Sequence, residues 1–383
     1  MVRFIFRRVV RGLVALLLFQ SLLFALVHAL PYDFSSIVLS GPAHRRLIRS
    51  ILGLDLPLWQ QYGRWLFDFV RLDLGQSYLF WPTPVVDILG ANLPRTLLLF
   101  LSGAVLAYAL GIWLGKVLAW RRGSLLELGT TLGGVAAYTS FAPFLGFVLI
   151  MVFGRELQWF SYQRFVDHNV WFDAPVTVDW LLVRLIATAL LLSAGAFLLW
   201  LLTRAVKPRA RRWSIRLAGL LAVGAVAGWT WYQSGVGYLA VDLLYHLALP
   251  LATVILLSFG ETMMLMRMAM LETMGEEYVL TARAIGYSEK TIRDKHVARN
   301  AILPVLTRLA LNLPFVLVGS LVVERVFLWT AMGQVVFNAV EYYDVPLLLG
   351  ILSVVGVLTL IAHIVLDVVY VYLDPRLRYA PGS

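Results

Sequence analysis

Eight predominantly apolar stretches recur along the chain, each near the ~20 residues a helix needs to cross the hydrocarbon core of a bilayer. They run roughly Val10–Leu30, Pro94–Trp120, Leu125–Phe153, Trp180–Thr203, Ile215–Trp231, Leu243–Met268, Val305–Phe327 and Pro346–Leu373. Backbone inside lipid must satisfy its own N–H and C=O groups, so stretches of this length are expected as helices of an all-α polytopic membrane protein. Composition agrees: 60% of the 383 residues are hydrophobic and 14% are charged, against about 45–50% and about 25% in soluble domains. A disordered chain and, with no Cys, a disulfide-stapled secreted scaffold are excluded. The opening MVRFIFRRVVRGL has the basic start of a secretion signal. Its apolar run is longer than usual and no small-x-small cleavage site follows, so an uncleaved first helix is expected.

The formal charge of +10 is informative through its placement. Basic residues without acids mark the N-terminus (Arg3, Arg7, Arg8, Arg11), the segment after the second stretch (Lys116, Arg121, Arg122) and the turn between the fourth and fifth (Arg204, Lys207, Arg209, Arg211, Arg212, Arg216); Arg376 and Arg378 close the tail. The alternate connections are balanced or acidic, and residues 328–345 carry only Glu341 and Asp344. Lys and Arg are retained on the cytoplasmic side, so eight spans with both termini cytoplasmic are expected. The charge then reports topology, and no nucleic-acid partner is implied.

Two connections are too long for simple turns. In residues 31–93, on the external side, Leu58, Tyr62, Trp65, Leu66 and Phe69 recur at helical spacing and predict an amphipathic helix. The second, residues 269–304, is mixed in charge and expected in the cytoplasm. Glu276–Ile285 reads as a short helix, Gly286 as a left-handed break, and Ser288 as the N-cap of a second helix to about Ala301, before Leu303-Pro304 leads back into the membrane. Two helices meeting at a glycine make a projecting elbow. Its small residues Ala282 and Ala284 would let another backbone approach, flanked by Glu276, Glu277 and Arg283; a solvated loop without a partner fits composition and spacing equally well.

This segment resembles the EAA loop in membrane subunits of binding-protein-dependent ABC importers, and more specifically the oligopeptide/dipeptide (and nickel) permease B-subunit branch. That branch typically reads EYVxTARAxG and then HxxRNALLP; here stand Glu277-Tyr278-Val279-Leu280-Thr281-Ala282-Arg283-Ala284-Ile285-Gly286 and His296-Val297-Ala298-Arg299-Asn300-Ala301-Ile302-Leu303-Pro304. The Glu of the general motif is absent. Leu52–Ser77, Asn92–Thr96, Val323–Phe327, Gly333, Tyr343–Pro346 and Asp367–Tyr379 are also similar to the branch, whereas Pro31-Tyr32-Asp33-Phe34 and Thr330-Ala331 stand where Pro-Gly-Asp-Pro and Pro-Gly are common.

The resemblance implies a type I ABC importer permease core of six helices, with residues 180–231 as an inserted transmembrane hairpin. Residues 1–30 would then be the first helix, 94–179 helices two and three with an external loop, and 232–383 the rest of the core. It implies a multi-pass subunit of a prokaryotic cytoplasmic (inner) membrane importing di- or oligopeptides by alternating access, with nickel or another small solute as the alternative cargo. Implied partners are a homologous second permease, two ATP-binding subunits carrying ATP and Mg, an extracytoplasmic substrate-binding protein and membrane lipid, and no cofactor in this chain. Glu276, Glu277, Tyr278, Thr281, Ala282, Arg283, Ala284, Gly286, Arg299, Asn300 and Pro304 would couple to the ATPases.

The chain has no G-x-x-x-x-G-K-[ST]; the nearest string, Gly111–Lys116, has the wrong spacing and is apolar. With no H-E-x-x-H, no G-x-S-x-G and no Cys nucleophile, a transport subunit rather than an enzyme is expected. Glu261, Glu324, Asp367 and His363 are costly in apolar surroundings and so are candidates for function; Glu324 and Asp367, near helix ends, fit structural pairing, capping or gating. The methionines Met263, Met264, Met266, Met268, Met270 and Met274 read as flexible gap-fillers. Gly111/Gly115, Gly129/Gly133 and Gly224/Gly228 have the spacing that lets helices approach. A secondary transporter should show an internal repeat, and none is evident; a scaffold has no need of a charged elbow.

Overall fold

A computed structural model of the chain describes residues 2–29, 46, 50, 53, 55–162, 165–204, 206 and 209–373, without the side chains of 2–6, 209 and 366–373. The described residues form helices and no strand, only an isolated bridge between Gln76 and Pro84. Helix α1 is Val2–His28, α2 Leu58–Val70, α3 Val85–Trp120, α4 Leu125–Thr139 and α5 Ala142–Glu156. After a loop come α6 (Val178–Leu202), α7 (Arg209–Gln233), α8 (Gly237–Thr273), α9 (Glu277–Ala284), α10 (Glu289–Val318), α11 (Leu321–Phe327), α12 (Met332–Glu341) and α13 (Val345–Leu373).

The centre is the pair α3 and α8. A stripe of small residues on α3, Gly103, Ala104, Ala107, Gly111 and Gly115, is buried. A Cβ at Gly103 would meet Val254, one at Gly111 Thr262, and one at Gly115 Met266. The partners advance in step, so the helices run parallel and touch along their length. At Gly115 the added carbon would sit 2.6 Å from the Met263 carbonyl oxygen, backbone that cannot step aside. Of the other spaced glycines, Gly129, Gly133, Gly224 and Gly228 face open space in this chain, whereas Gly134 packs on Gly260 and Met263.

Three spans differ from the expected ones. The third, expected as one helix over Leu125–Phe153, is two helices bent by 112°. Ser140 and Phe141 are extended, and Pro143 in the first turn of α5 has no N–H to continue α4. Asp179 at the start of α6 pairs with Arg95 of α3 at 2.6 Å, so α6 begins beside the end of the membrane opposite to the one from which α4 departs. Counted as one span, the bent pair brings the helices long and apolar enough to cross a membrane from seven to eight among the described residues. The seventh helix ends at Val318 rather than Phe327, because Gly319 takes φ +78° and Ser320 caps α11. The second begins at Val85, with Pro94 inside it.

α2 forms as expected, with Tyr62 and Trp65 packed on Phe24 of α1 and the Tyr62 hydroxyl 2.7 Å from that of Ser21. The segment before it, with Pro31–Phe34, lies outside the described residues. α1 runs antiparallel to α13, Gly12 beside Leu360 and Gly356 beside Phe19. The hairpin α6–α7 packs mainly on itself, through Gly219 on Leu199 and Trp231 Nε1 to Thr188 at 3.2 Å. Among its described residues only Leu181 and Leu182 are buried members of the core, and most of its other apolar side chains are exposed.

The glycine stripe yields a direct test. Gly115→Leu should destabilise the isolated chain in detergent by at least the roughly 1–3 kcal/mol of core overpacking. Gly129→Leu, which meets nothing, should leave the melting midpoint unchanged or slightly raised; both are read by thermal melting of the purified chain.

Candidate coupling site

The elbow is built between α8 and α10, the helices that enter and leave it. α8 stops at Thr273, and a tight turn through Gly275 leads to α9, within one residue of the helix expected at each end. Gly286 has φ +88° with open space around it, so glycine is needed there for its backbone alone. The Ser288 hydroxyl then accepts the Thr291 N–H and starts α10. The expected stop near Ala301 is absent: α10 runs unbroken to Val318, with a wider π-helical turn over Ile292–Val297. Pro304 lies inside this helix and is exposed.

Val279, Ala282, Ile292, Val297 and Ala301 bury a common apolar core with Met266 and Met270 of α8 and Tyr108 and Ala119 of α3. Fully burying side chains such as these contributes about 1.5–3 kcal/mol each. Surface ion pairs contribute ~0–1 kcal/mol, so apolar packing fixes the elbow and ion pairs trim its orientation. Lys116 at the end of α3 meets Asp294 at 3.2 Å; Arg283 meets Glu289 at 3.4 Å. Next to the elbow, Arg267 of α8 pairs with Glu127 of α4, whose other oxygen accepts the Gly123 N–H. Tyr278 joins the two arms: its hydroxyl accepts from Asn300 Nδ2 at 2.9 Å and donates to the His296 carbonyl at 3.4 Å. Burial pushes this hydroxyl above its ordinary pKa despite the Asn300 bond, so it keeps its proton for that second bond near neutral pH.

Ala282 requires a correction. It is 5% exposed and faces the elbow's own core, so its small size lets α9 approach α10 rather than a partner. The outer surface is made instead by Leu280, Ala284, Ile285, Gly286 and Tyr287, with Leu280 59% and Ile285 67% exposed. Glu276, Glu277, Thr281, Arg283 and Arg299 surround it, all exposed. The residues that anchor the elbow without belonging to the motif, Lys116, Asp294, Glu127 and Arg267, stand in different helices, and linear spacing carries no signal for such pairs.

The remaining candidates lie elsewhere. Glu324 is buried, and its carboxylate accepts the N–H groups of Ala331, Gly333 and Gln334 at 3.2, 2.9 and 2.8 Å; it is the cap of α12. Asp367 is in α13, with its side chain outside the description. His363 Nδ1 lies 2.8 Å from the Thr359 carbonyl. Met263, Met266 and Met270 are buried between α8 and its neighbours, whereas Met268 is exposed.

An all-helical chain with, among its described residues, seven helices long and apolar enough to cross a membrane, or eight with the bent pair, has the form of a multi-pass membrane protein. The comparisons with known proteins place it further. The family described as the binding-protein-dependent transport system inner membrane component matches residues 107–379, and its N-terminal counterpart matches residues 1–99; the chain belongs to this family, and its fold is that of a type I ABC importer permease. Similar proteins include the oligopeptide transport system permease protein AppB of Bacillus subtilis, 26% identical over 99% of this chain and 100% of that one. Others are the dipeptide transport system permease protein DppB of Escherichia coli, 26% identical over 99% of both, and a Brucella ovis protein named as a peptide permease, 30% identical over 99% of both. The chain is thus a multi-pass permease subunit of a binding-protein-dependent importer.

The inward and outward faces of α9 should separate in experiment. Ala282→Glu places a carboxylate in the elbow core at a cost of several kcal/mol, and should raise backbone hydrogen exchange across residues 277–300. Ala284→Glu, two residues on and exposed, should leave that exchange unchanged.

Proposed function

We propose that this chain is the peptide-translocating permease subunit of an ATP-driven importer, and that the elbow is the seat for its ATPase partners. The supporting observation is the outer surface of α9: Leu280, Ala284, Ile285 and Tyr287 stand exposed around Gly286 on a base fixed to α3, α8 and α10. Exposed apolar side chains on a rigid projection outside the membrane suit a protein partner better than water. In this reading the elbow side is cytoplasmic, in keeping with Lys116, Arg121 and Arg122 on the same side, and both termini share it. Two ATPase subunits bind ATP and Mg and receive the elbow. A second, related permease completes the path, and a binding protein delivers peptide to the opposite face. The names of the relatives support peptide as cargo. Because α10 runs from the elbow into the membrane without a break and α9 packs on the end of α8, closure of the ATPases would tilt both helices as levers, an alternating-access movement.

Ile285→Glu should leave the level of membrane-inserted chain unchanged and lower peptide-stimulated ATPase activity of the assembled complex at least tenfold. Unchanged stimulation would overturn the seat. Stimulation by nickel and not by di- or oligopeptides, in the presence of the cognate binding protein, would replace the cargo.

A further inference from the structure

Glu261 of α8 and Arg308 of α10 form an ion pair within the apolar stretches of the two helices. Nε and Nη2 of Arg308 both lie 2.7 Å from one oxygen, Oε1, of Glu261. The side chains are 47% exposed at Arg308 and 28% at Glu261, so the chain's own packing does not cover them. Polar side chains from two further helices gather beside them. The Asn312 amide donates to the Tyr108 hydroxyl at 3.1 Å, and Tyr138, at the end of α4 and packed beside Gly260, is within electrostatic reach of the Arg308 guanidinium. The same face of α10 continues with exposed Thr307, Leu311 and Phe315.

A charged side chain turned to lipid near the centre of a helix costs at least about 2.5–3.5 kcal/mol. Arg308 is 47% and Glu261 28% exposed within helices long and apolar enough to cross a membrane, and an aqueous path accounts for charges that the chain itself leaves uncovered. The pair also stands on the two roots of the elbow. α8 continues for twelve residues, about 18 Å, from Glu261 to Thr273, and α10 runs unbroken from Glu289 to Arg308, so any tilt of the elbow acts on the separation of these two side chains.

Resting on the reading of this chain as a peptide permease, we infer that Glu261 and Arg308 line the translocation path and bind the charged ends of the peptide main chain, Arg308 the α-carboxylate and Glu261 the α-ammonium. A short peptide presents both charges. Its arrival exchanges one internal ion pair for two external ones and leaves no charge uncompensated, which avoids the penalty of breaking a shielded pair. Re-formation of the internal pair competes with the peptide, so the site holds its cargo weakly enough to release it.

The test uses the complete complex in liposomes with its binding protein, and radiolabelled dipeptides that are unmodified, C-terminally amidated or N-acetylated. Each variant is compared with wild type on the same peptide, so the binding protein's own preference cancels. Arg308→Gln should lower uptake of the unmodified peptide about tenfold and of the amidated one less than twofold; Glu261→Gln should do the same with the acetylated peptide as its insensitive cargo. If the exchanged pair Glu261→Arg with Arg308→Glu restores wild-type uptake and preference, the residues are only a latch and the proposal fails. Since the chain has no Cys, Leu311→Cys can be probed with a membrane-impermeant thiol reagent. It should label and be protected by peptide, whereas Leu191→Cys on the open face of the hairpin should not label; absence of labelling at Leu311→Cys also overturns the proposal. If the wild-type complex takes up no peptide, the cargo reading fails first and this site's ligand with it; normal wild-type uptake with insensitive variants refutes the site alone.

Discussion

The close approach of α3 and α8 is the contact on which the rest of the molecule is arranged. Lipid tails are as apolar as leucine, so two helices gain little in a membrane from hiding apolar surface and must gain from contact itself. Gly103, Gly111 and Gly115 remove the side chains that would hold the backbones apart, and dispersion contacts accumulate along the whole shared length. Since the two helices run parallel, they deliver Lys116 and Met270 to the same end, where one meets Asp294 and the other enters the elbow core. The position of the elbow is therefore a consequence of a glycine spacing in another helix, far from it along the chain.

The elbow in turn behaves as part of α8 and α10 rather than as a loop between them. Its arms share buried side chains with α3 and α8, and α10 passes from the elbow into the membrane without a break. The surface at Ile285 and Tyr287 is thus joined to the long helices through the packed side chains of the elbow and the continuous α10. Glu261 and Arg308 are where these two levers face each other across a charged contact, so force and chemistry meet on the same pair of helices.

Much of this was legible in the linear order of residues. Apolar length located the helices long enough to cross a membrane, since that length follows from the bilayer alone. Gly286 and Ser288 marked the turn of the elbow through local backbone rules that need no tertiary contact. The break at Ser140 and Phe141 was not legible, because a proline within an apolar run either kinks a helix or starts a new one, and Pro143 offers no local sign of which. Ala282 and Ala284 are both small and two positions apart on one short helix; only the placement of α10 determines that the first faces inward. Arg308 lies 47 residues from Glu261, a separation at which no spacing rule operates.

The hairpin α6–α7 shows the same logic from the opposite side. α6 is as apolar as the core spans and α7 less so, yet among the hairpin's described residues only Leu181 and Leu182, near one end, join the buried core, and there Arg95 and Asp179 also fasten it. Apolar composition therefore does not distinguish a helix that builds the permease from one that stands beside it; small residues at close contacts do. Gly224 and Gly228 have the right spacing but face nothing in this chain, so the hairpin gains no close partner from them and is held by its end. The contacts of α8 with α3 at Gly103, Gly111 and Gly115 lie apart from the hairpin's own contacts, so the pair that fixes the elbow does not depend on it.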